Sequence, residues 1–202
     1  MNFMSSTISI SLSRLIPLCM LNLALATALC HAQEIPNLES AKAEAIKILT
    51  GFIKVDTSNP PGNETKGAEY LKTYLEAEGI PAEIFELEKG RGNLVARLKG
   101  NGRKRPLLLM GHIDVVGVER EKWTVPPFEG IIKDGYLYGR GASDDKGMTS
   151  VCLQIMLMLK RNKIPLDRDV IFWQREERKA RHTWESIIWL PSIGIKLTAN
   201  MR

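Results

Sequence analysis

The feature that most constrains the fold of this chain is an apolar run, Pro106–Met110, followed directly by Gly111-His112. Consecutive apolar residues over such a short length are typical of a buried strand in the sheet of an α/β protein. The residues that follow such a strand lie at the carboxyl edge of the sheet, where open α/β sheets build their sites. Asp114 comes two residues after His112, so in extended backbone the two side chains share a face. The pattern therefore predicts a functional edge at His112.

Helical and strand patterns alternate along the chain. Helical spacing is found over three stretches, about Ser40–Val55 with Ser40 as N-cap, Thr65–Glu78 and Lys146–Arg161. Strand patterns occur at Ala82–Leu87, Asn93–Leu98, Pro106–Met110, a hairpin within Gly130–Leu137, and Asp169–Phe172. This alternation of helices with apolar strands predicts an α/β sandwich with a mainly parallel sheet.

A second polar segment, Tyr138–Gly147, has the sequence Y-G-R-G-A-S-D-D-K-G. Its glycines permit a tight turn, and Asp144 and Asp145 follow directly before a predicted helix. Asp144 is either a helix cap or a carboxylate that bridges two cations. His112 is similarly either a core histidine near a capping Asp114, or a metal ligand whose other ring nitrogen Asp114 holds. The two segments in this order favour the metal site.

The N-terminus has the features of a targeting segment. Arg14 precedes an apolar stretch, Leu15–Cys30, and the tripeptide Cys30-His31-Ala32 fits a cleavage site. We interpret residues 1–32 as a signal peptide, which predicts a secreted or periplasmic protein that begins at Gln33 and has no stable membrane span after cleavage. The alternative is a membrane anchor, for which the apolar stretch is short.

The net charge of +5 does not indicate a nucleic-acid partner. Six Lys/Arg and three Asp/Glu lie in residues 173–202, so this stretch alone carries +3. Residues 33–172 carry only +1 and have no basic stripe with interleaved aromatic residues. We therefore exclude nucleic acid as a partner.

The run from about Leu38 to Phe172 resembles the dinuclear zinc hydrolases that include aminoacylase, acetylornithine deacetylase, succinyl-diaminopimelate desuccinylase and glutamate carboxypeptidase. The segments that carry the resemblance are D-T-S-N-P-P-G at 56–62, G-H-I-D-V-V at 111–116, W-T-V-P-P-F-E-G at 123–130 and D-G-Y-L-Y-G-R-G-A-S-D-D-K-G at 134–147. The resemblance implies a zinc-peptidase-like three-layer sandwich. Intact members also carry a lid domain and further metal ligands, which this sequence does not reach.

The resemblance also implies roles for individual residues. It makes His112 a ligand of one metal, Asp144 a bridge between two metals, and Asp114 the carboxylate that orients His112. Asp145 is expected to hold the backbone behind the bridge. The cofactors implied are two Zn²⁺ ions, with Co²⁺ or Mn²⁺ as alternatives. The chemistry implied is amide hydrolysis in small peptides or N-acyl amino acids, with a glutamate as general base.

Residues 173–202 depart from the family pattern. Glu176-Glu177 is either the catalytic pair, with Glu176 as base and Glu177 as metal ligand, or a solvated charge run, which the flanking basic residues favour. A one-base deletion near Phe172 would make this stretch an out-of-frame tail, leaving 33–172 as the N-terminal part of a catalytic domain. On this interpretation the chain lacks turnover. The alternative function is a secreted, non-catalytic fragment that binds metal or a partner.

Overall fold

The computed structural model describes residues 37–86 and 88–176, together with the backbone of two strands at 187–190 and 195–198. The predicted signal peptide and Glu177 lie outside these residues. Among the residues described, no helix is both long and apolar enough to cross a bilayer.

Three helices lie close to their predicted positions: α1 (Leu38–Lys54), α2 (Glu64–Ala77) and α3 (Lys146–Arg161). The predicted cap of α1 is wrong, because Asn37 is the N-cap and its side chain accepts a hydrogen bond from the Ser40 N–H at 3.1 Å. An amide at that position satisfies one of the helix's unpaired N–H groups as well as a hydroxyl does.

Four strands form the main sheet, in the order β1–β2–β6–β3. Their bounds are β1 (Ala82–Glu86), β2 (Gly92–Leu98), β3 (Leu107–His112) and β6 (Val170–Arg175); β4 (Ile131–Lys133) and β5 (Tyr136–Tyr138) form a separate hairpin. The α/β class is confirmed. The sheet is mixed, since β3 pairs with β6 in parallel while β1–β2 and β2–β6 are antiparallel. The short β1–β2 connection forces a reversal, whereas α3 lies in the crossover between β3 and β6.

One hydrophobic core lies between the sheet and the helices. Alternate strand residues, among them Leu94, Ala96 and Phe172, contact the apolar faces of all three helices. The three helices pack against one another and share this single core. In the part of the chain that the structure describes, the helices therefore form one layer on one face of the sheet.

Strand β3 was predicted to be a buried central strand, and this is wrong for the described sheet. It pairs only with β6 and forms an edge, so Leu107, Leu108 and Met110 are 44%, 42% and 36% exposed. A continuous apolar run does not distinguish a central strand from an edge that lacks a neighbour.

Strand β6 continues beyond the predicted end at Phe172. Trp173 and Gln174 pair with β2, and Arg175 lies opposite His112 in the parallel register with β3. Further along the chain, β7 (Ile187–Leu190) and β8 (Ile195–Thr198) form an antiparallel pair. The sheet pattern therefore extends past the position where the family-like sequence was predicted to stop.

Candidate functional site

The candidate site lies where β3 and β6 end, beside the turn that precedes α3. His112 is the last residue of β3, and its ring lies between two carboxylates. Nδ1 is 2.9 Å from Oδ1 of Asp114, and Nε2 is 3.0 Å from Oδ1 of Asp144. The structure thus brings together the three residues that the sequence singled out, from two separate segments of the chain.

The surroundings of His112 favour its charged form when no metal is bound. The hydrogen bond to Asp114 raises the pKa of the imidazole, burial opposes this, and the charges of Asp114 and Asp145 add to the rise. The side chain of His112 is 14% exposed, whereas that of Asp144 is 64% exposed. One ring nitrogen therefore faces the protein and the other faces the open side of the site.

Asp145 secures the turn to the end of β3. Its Oδ2 accepts a hydrogen bond from the backbone N–H of His112 at 3.3 Å, and its carbonyl accepts one from the N–H of Thr149. Thr149 in turn donates its hydroxyl to the carbonyl of His112. Although Asp145 is the N-cap residue of α3, its side chain makes no capping bond. Its carboxylate is directed to the site segment instead.

Gly111 permits the close approach of β3 and α3. A Cβ atom at this position would lie 2.3 Å from the hydroxyl of Thr149 and 3.2 Å from Oδ2 of Asp145. This role of Gly111 was not predicted from the sequence. The sequence signal for this close approach is the glycine immediately before the histidine, because glycines within strands often mark close backbone contacts.

Glu176 lies at the site rather than in a solvated tail. Its carbonyl accepts a hydrogen bond from the N–H of Asp114 at 3.2 Å, and its own N–H donates to the side chain of Asn93 at 3.4 Å. The residue is half-buried directly after β6. The sequence pattern favoured the charge-run interpretation, and for Glu176 the structure does not agree with it. Glu177 lies outside the described residues.

Three buried polar residues beside the site were missed by sequence reasoning. Asn93 is 2% exposed and accepts hydrogen bonds from both Glu176 and the indole of Trp173. Glu64, fully buried at the start of α2, faces the guanidinium of Arg91 at 3.3 Å. A glutamate in the first turn of a helix is normally interpreted as a charge that interacts favourably with the helix dipole. The local sequence therefore gives no indication that Glu64 is buried.

The carboxyl group of Glu64 is coupled electrostatically to the site. Burial raises the pKa of Glu64 to about 7; Arg91 opposes the rise, and the charges of Asp114 and Glu176 add to it. The ionisation of Glu64 therefore depends on the charges carried at the site.

The donors present fit a first-row metal ion such as zinc in type. An imidazole nitrogen and a carboxylate oxygen are ligands that zinc accepts, and a carboxylate on the second ring nitrogen is the arrangement that orients a ligating histidine. The described residues contain no group of three or more His, Cys, Asp or Glu side chains placed to hold a metal ion. His112 and Asp144 are thus a partial donor set within that part of the chain.

Curated relatives match about two-thirds of this chain. A deformylase of Halalkalibacterium halodurans that acts on N-formyl-4-amino-5-aminomethyl-2-methylpyrimidine is 36% identical over 140 residues, which are 67% of this chain and 33% of the relative. A probable succinyl-diaminopimelate desuccinylase of Staphylococcus epidermidis is 36% identical over 124 residues, 60% of this chain and 29% of the relative. The chain therefore spans about a third of the length of these relatives.

Solved structures and a family profile agree with these relatives. The M20 family metallo-carboxypeptidase Sso-CP2 of Sulfolobus solfataricus is 28% identical, with a TM-score of 0.56 over 66% of this chain and 31% of that protein. A profile described as Peptidase family M20/M25/M40 matches residues 108–193, which include the whole candidate site. The part of the chain that this profile matches, residues 108–193, therefore belongs to peptidase family M20/M25/M40.

Proposed function

We propose that the protein represented by this chain is a metal-dependent hydrolase of amide bonds in small peptides or N-acyl amino acids. The observation that carries the proposal is the imidazole of His112 between the carboxylates of Asp114 and Asp144. The relatives named deformylase and desuccinylase support it, because both names describe the removal of an acyl group.

His112 and Asp144 would hold the metal, and zinc suits these donors, as Co²⁺ or Mn²⁺ also would. A bound ion of this kind supplies Lewis-acid activation of water and of the scissile carbonyl. Asp114 orients the imidazole by accepting from Nδ1, which leaves Nε2 as the ligating atom. Asp145 keeps the turn in place through the N–H of His112.

Glu176 is the general base in this proposal. Its backbone is held between Asp114 and Asn93, so the residue has a fixed position beside the cluster. As a carboxylate it accepts a proton from the attacking water and then returns that proton to the leaving amine. Glu177 is proposed as a further metal ligand on the basis of the sequence alone.

A second candidate function is a secreted, non-catalytic fragment that binds metal or a partner. The incomplete donor set of the described residues favours it, since a catalytic zinc site normally has three protein ligands. On this second proposal the 202-residue chain alone gives no turnover, residues 173–202 are an out-of-frame tail, and Glu176 is not a working base. The pairing of β6 up to Arg175 and the family match up to residue 193 extend past that boundary. Sequencing the coding DNA across codons 170–180 decides whether a base is missing.

Calorimetric titration with Zn²⁺ and Co²⁺, followed by assays with N-acyl amino acids and dipeptides, tests both functions. His112→Ala should abolish metal binding, and Asp134→Asn, which changes an exposed carboxylate in the β4–β5 hairpin, should not. Equal metal binding by wild type and His112→Ala would rule out this site.

For localisation, we propose that the protein is exported. N-terminal sequencing of the exported protein should then give Gln33 as its first residue.

A further inference from the structure

Lys146, the first residue of α3, is a buried lysine that the proposed chemistry does not use. Its side chain has no solvent exposure. The ammonium group donates hydrogen bonds to the carbonyls of Phe52 at 3.1 Å and Val55 at 2.6 Å, and it lies 5.0 Å from the centre of the Phe52 ring. These carbonyls belong to the C-terminal end of α1, where a cation is favourable. Lys146 therefore joins the start of α3 to the end of α1.

The same end of α1 is attached to the segment that carries Asp114. Thr57 lies two residues beyond Val55, and its hydroxyl donates a hydrogen bond to the carbonyl of Ile113. Its backbone carbonyl accepts one from the N–H of Val115 at 3.1 Å. The N–H of Asn59 donates to the carbonyl of Val115 at 2.9 Å. Asp114 thus lies in a short stretch that is bonded on both sides to the loop after α1.

The turn that carries Asp144 is closed around the stem of Lys146. The N–H of Lys146 donates to the carbonyl of Gly141 at 3.0 Å, and a Cβ atom on Gly141 would lie only 3.1 Å from Cδ of Lys146. Asp144 lies within this turn, two residues before Lys146. The two halves of the site, one from β3 and one from the turn, are consequently fastened to the same helix end.

We propose that Lys146 is a positioning residue that sets Asp144 opposite His112 by fastening the 141–146 turn to the C-terminal end of α1. Asp145 fixes the turn to β3, whereas the hydrogen bonds of Lys146 run to the end of α1. A role as a nucleophile does not fit, because the amine is buried and already bonded to two backbone carbonyls. The inference deepens the proposed function and rests on it only for its metal readout.

The first test needs no metal. Hydrogen exchange measured on Lys146→Met should show at least tenfold faster exchange of the amides in 141–147, with β1 and β2 unchanged. Leu157→Ala is the matched control, because Leu157 is fully buried on the same helix but distant from the turn. It should loosen α3 without a selective effect on 141–147. Unchanged exchange of 141–147 in Lys146→Met, or the same pattern in both variants, would overturn the proposal.

The second test uses Co²⁺, whose absorption spectrum reports the geometry of its ligands. Lys146→Met should bind Co²⁺ at least tenfold more weakly and with an altered spectrum, as expected when the support of a ligand is removed. Leu157→Ala should bind it within about twofold of wild type, since its ligand support is intact. If wild type binds no Co²⁺, the proposed function fails, while hydrogen exchange still decides the role of Lys146. If Lys146→Met does not fold, Lys146→Gln, which keeps a shorter donor, takes its place in both tests.

Discussion

The backbone N–H of Asp114 donates a hydrogen bond to the carbonyl of Glu176 at 3.2 Å. This bond joins the segments that leave β3 and β6, and it continues the parallel pairing that ends at His112 and Arg175. Because strands that run in parallel end at the same edge, the bond places a glutamate beside the His112 cluster. The geometry of this chain therefore supplies a candidate base next to its candidate metal ligands.

Asp114→Asn should weaken metal binding without removing it. The amide keeps the shape of the side chain, but it loses the charge that strengthens His112 as a ligand. Loss of such a partner typically costs about 10–100-fold in metal affinity. Calorimetry with Zn²⁺ measures the change, and Asp134→Asn serves as the control for loss of a carboxylate elsewhere. An unchanged dissociation constant would mean that Asp114 does not act on the metal through His112.

Metal affinity should fall as the pH is lowered, and it should begin to fall above the ordinary pKa of histidine. Asp114 raises the pKa of His112 from its ordinary 6.5, and the protonated ring cannot bind a metal. Titration with Zn²⁺ between about pH 5.5 and 8.5 locates the midpoint. In Asp114→Asn the midpoint should shift to lower pH, because the main cause of the raised pKa is gone. A shift to higher pH would contradict this assignment.

The free energy of unfolding should depend on Glu64. Its folded-state pKa of about 7 lies above the ordinary 4.5, so the folded protein holds this proton more tightly than the unfolded chain. The corresponding stability is fully present below about pH 4.5 and is lost as the pH rises towards 7. The slope is at most about 1.4 kcal/mol per pH unit.

Urea unfolding at several pH values tests this dependence. Glu64→Gln should show a flatter pH profile than wild type between about pH 4.5 and 6.5, because an amide does not ionise. Glu69→Gln is the matched control, since Glu69 is exposed on the same helix. Identical profiles for wild type and Glu64→Gln would show that Glu64 does not titrate in this range.

The local sequence predicted the bounds of the helices well, but it predicted the burial of the strands less well. The bounds of α3 were predicted as they are found, because apolar spacing and the polar segment before Lys146 both mark them. The edge position of β3 was not predicted, because an apolar run shows that a strand can be buried but not that a neighbouring strand covers it.

The contacts of the candidate site were likewise predicted only in part. His112 and Asp114 are two residues apart, so strand geometry alone predicts their contact. Asn93 and the Glu64–Arg91 pair reach the site through the packing of β2 and α2, and residues that meet only through the tertiary fold leave no local pattern. Glu176 was assigned to a charge run because its neighbours in sequence are basic, whereas its neighbours in space are Asp114 and Asn93.

Gly111→Ala should destabilise the fold and disturb the site together. The added methyl group would lie 2.3 Å from the hydroxyl of Thr149 and 3.3 Å from its Cα, so either the Thr149 side chain changes rotamer or β3 and α3 move apart. Overpacking of this kind typically costs about 1–3 kcal/mol. Gly117→Ala is the control, because no atom lies within 4 Å of a Cβ there. Thermal unfolding and Zn²⁺ titration should both change for Gly111→Ala only; a change in neither would contradict the close packing.

The 202-residue chain, loaded with zinc, should give no amidase turnover. Hydrolysis requires a base and a metal held by enough ligands, and the described residues supply one candidate base with two donors. Assays with N-acyl amino acids and dipeptides should therefore match a His112→Ala control. A version extended in the alternative reading frame from Phe172 should recover hydrolysis, and should lose it again with His112→Ala. Robust turnover by the 202-residue chain, abolished by His112→Ala and by Glu176→Gln, would instead show that Glu176 is a working base and that the tail belongs to the active protein.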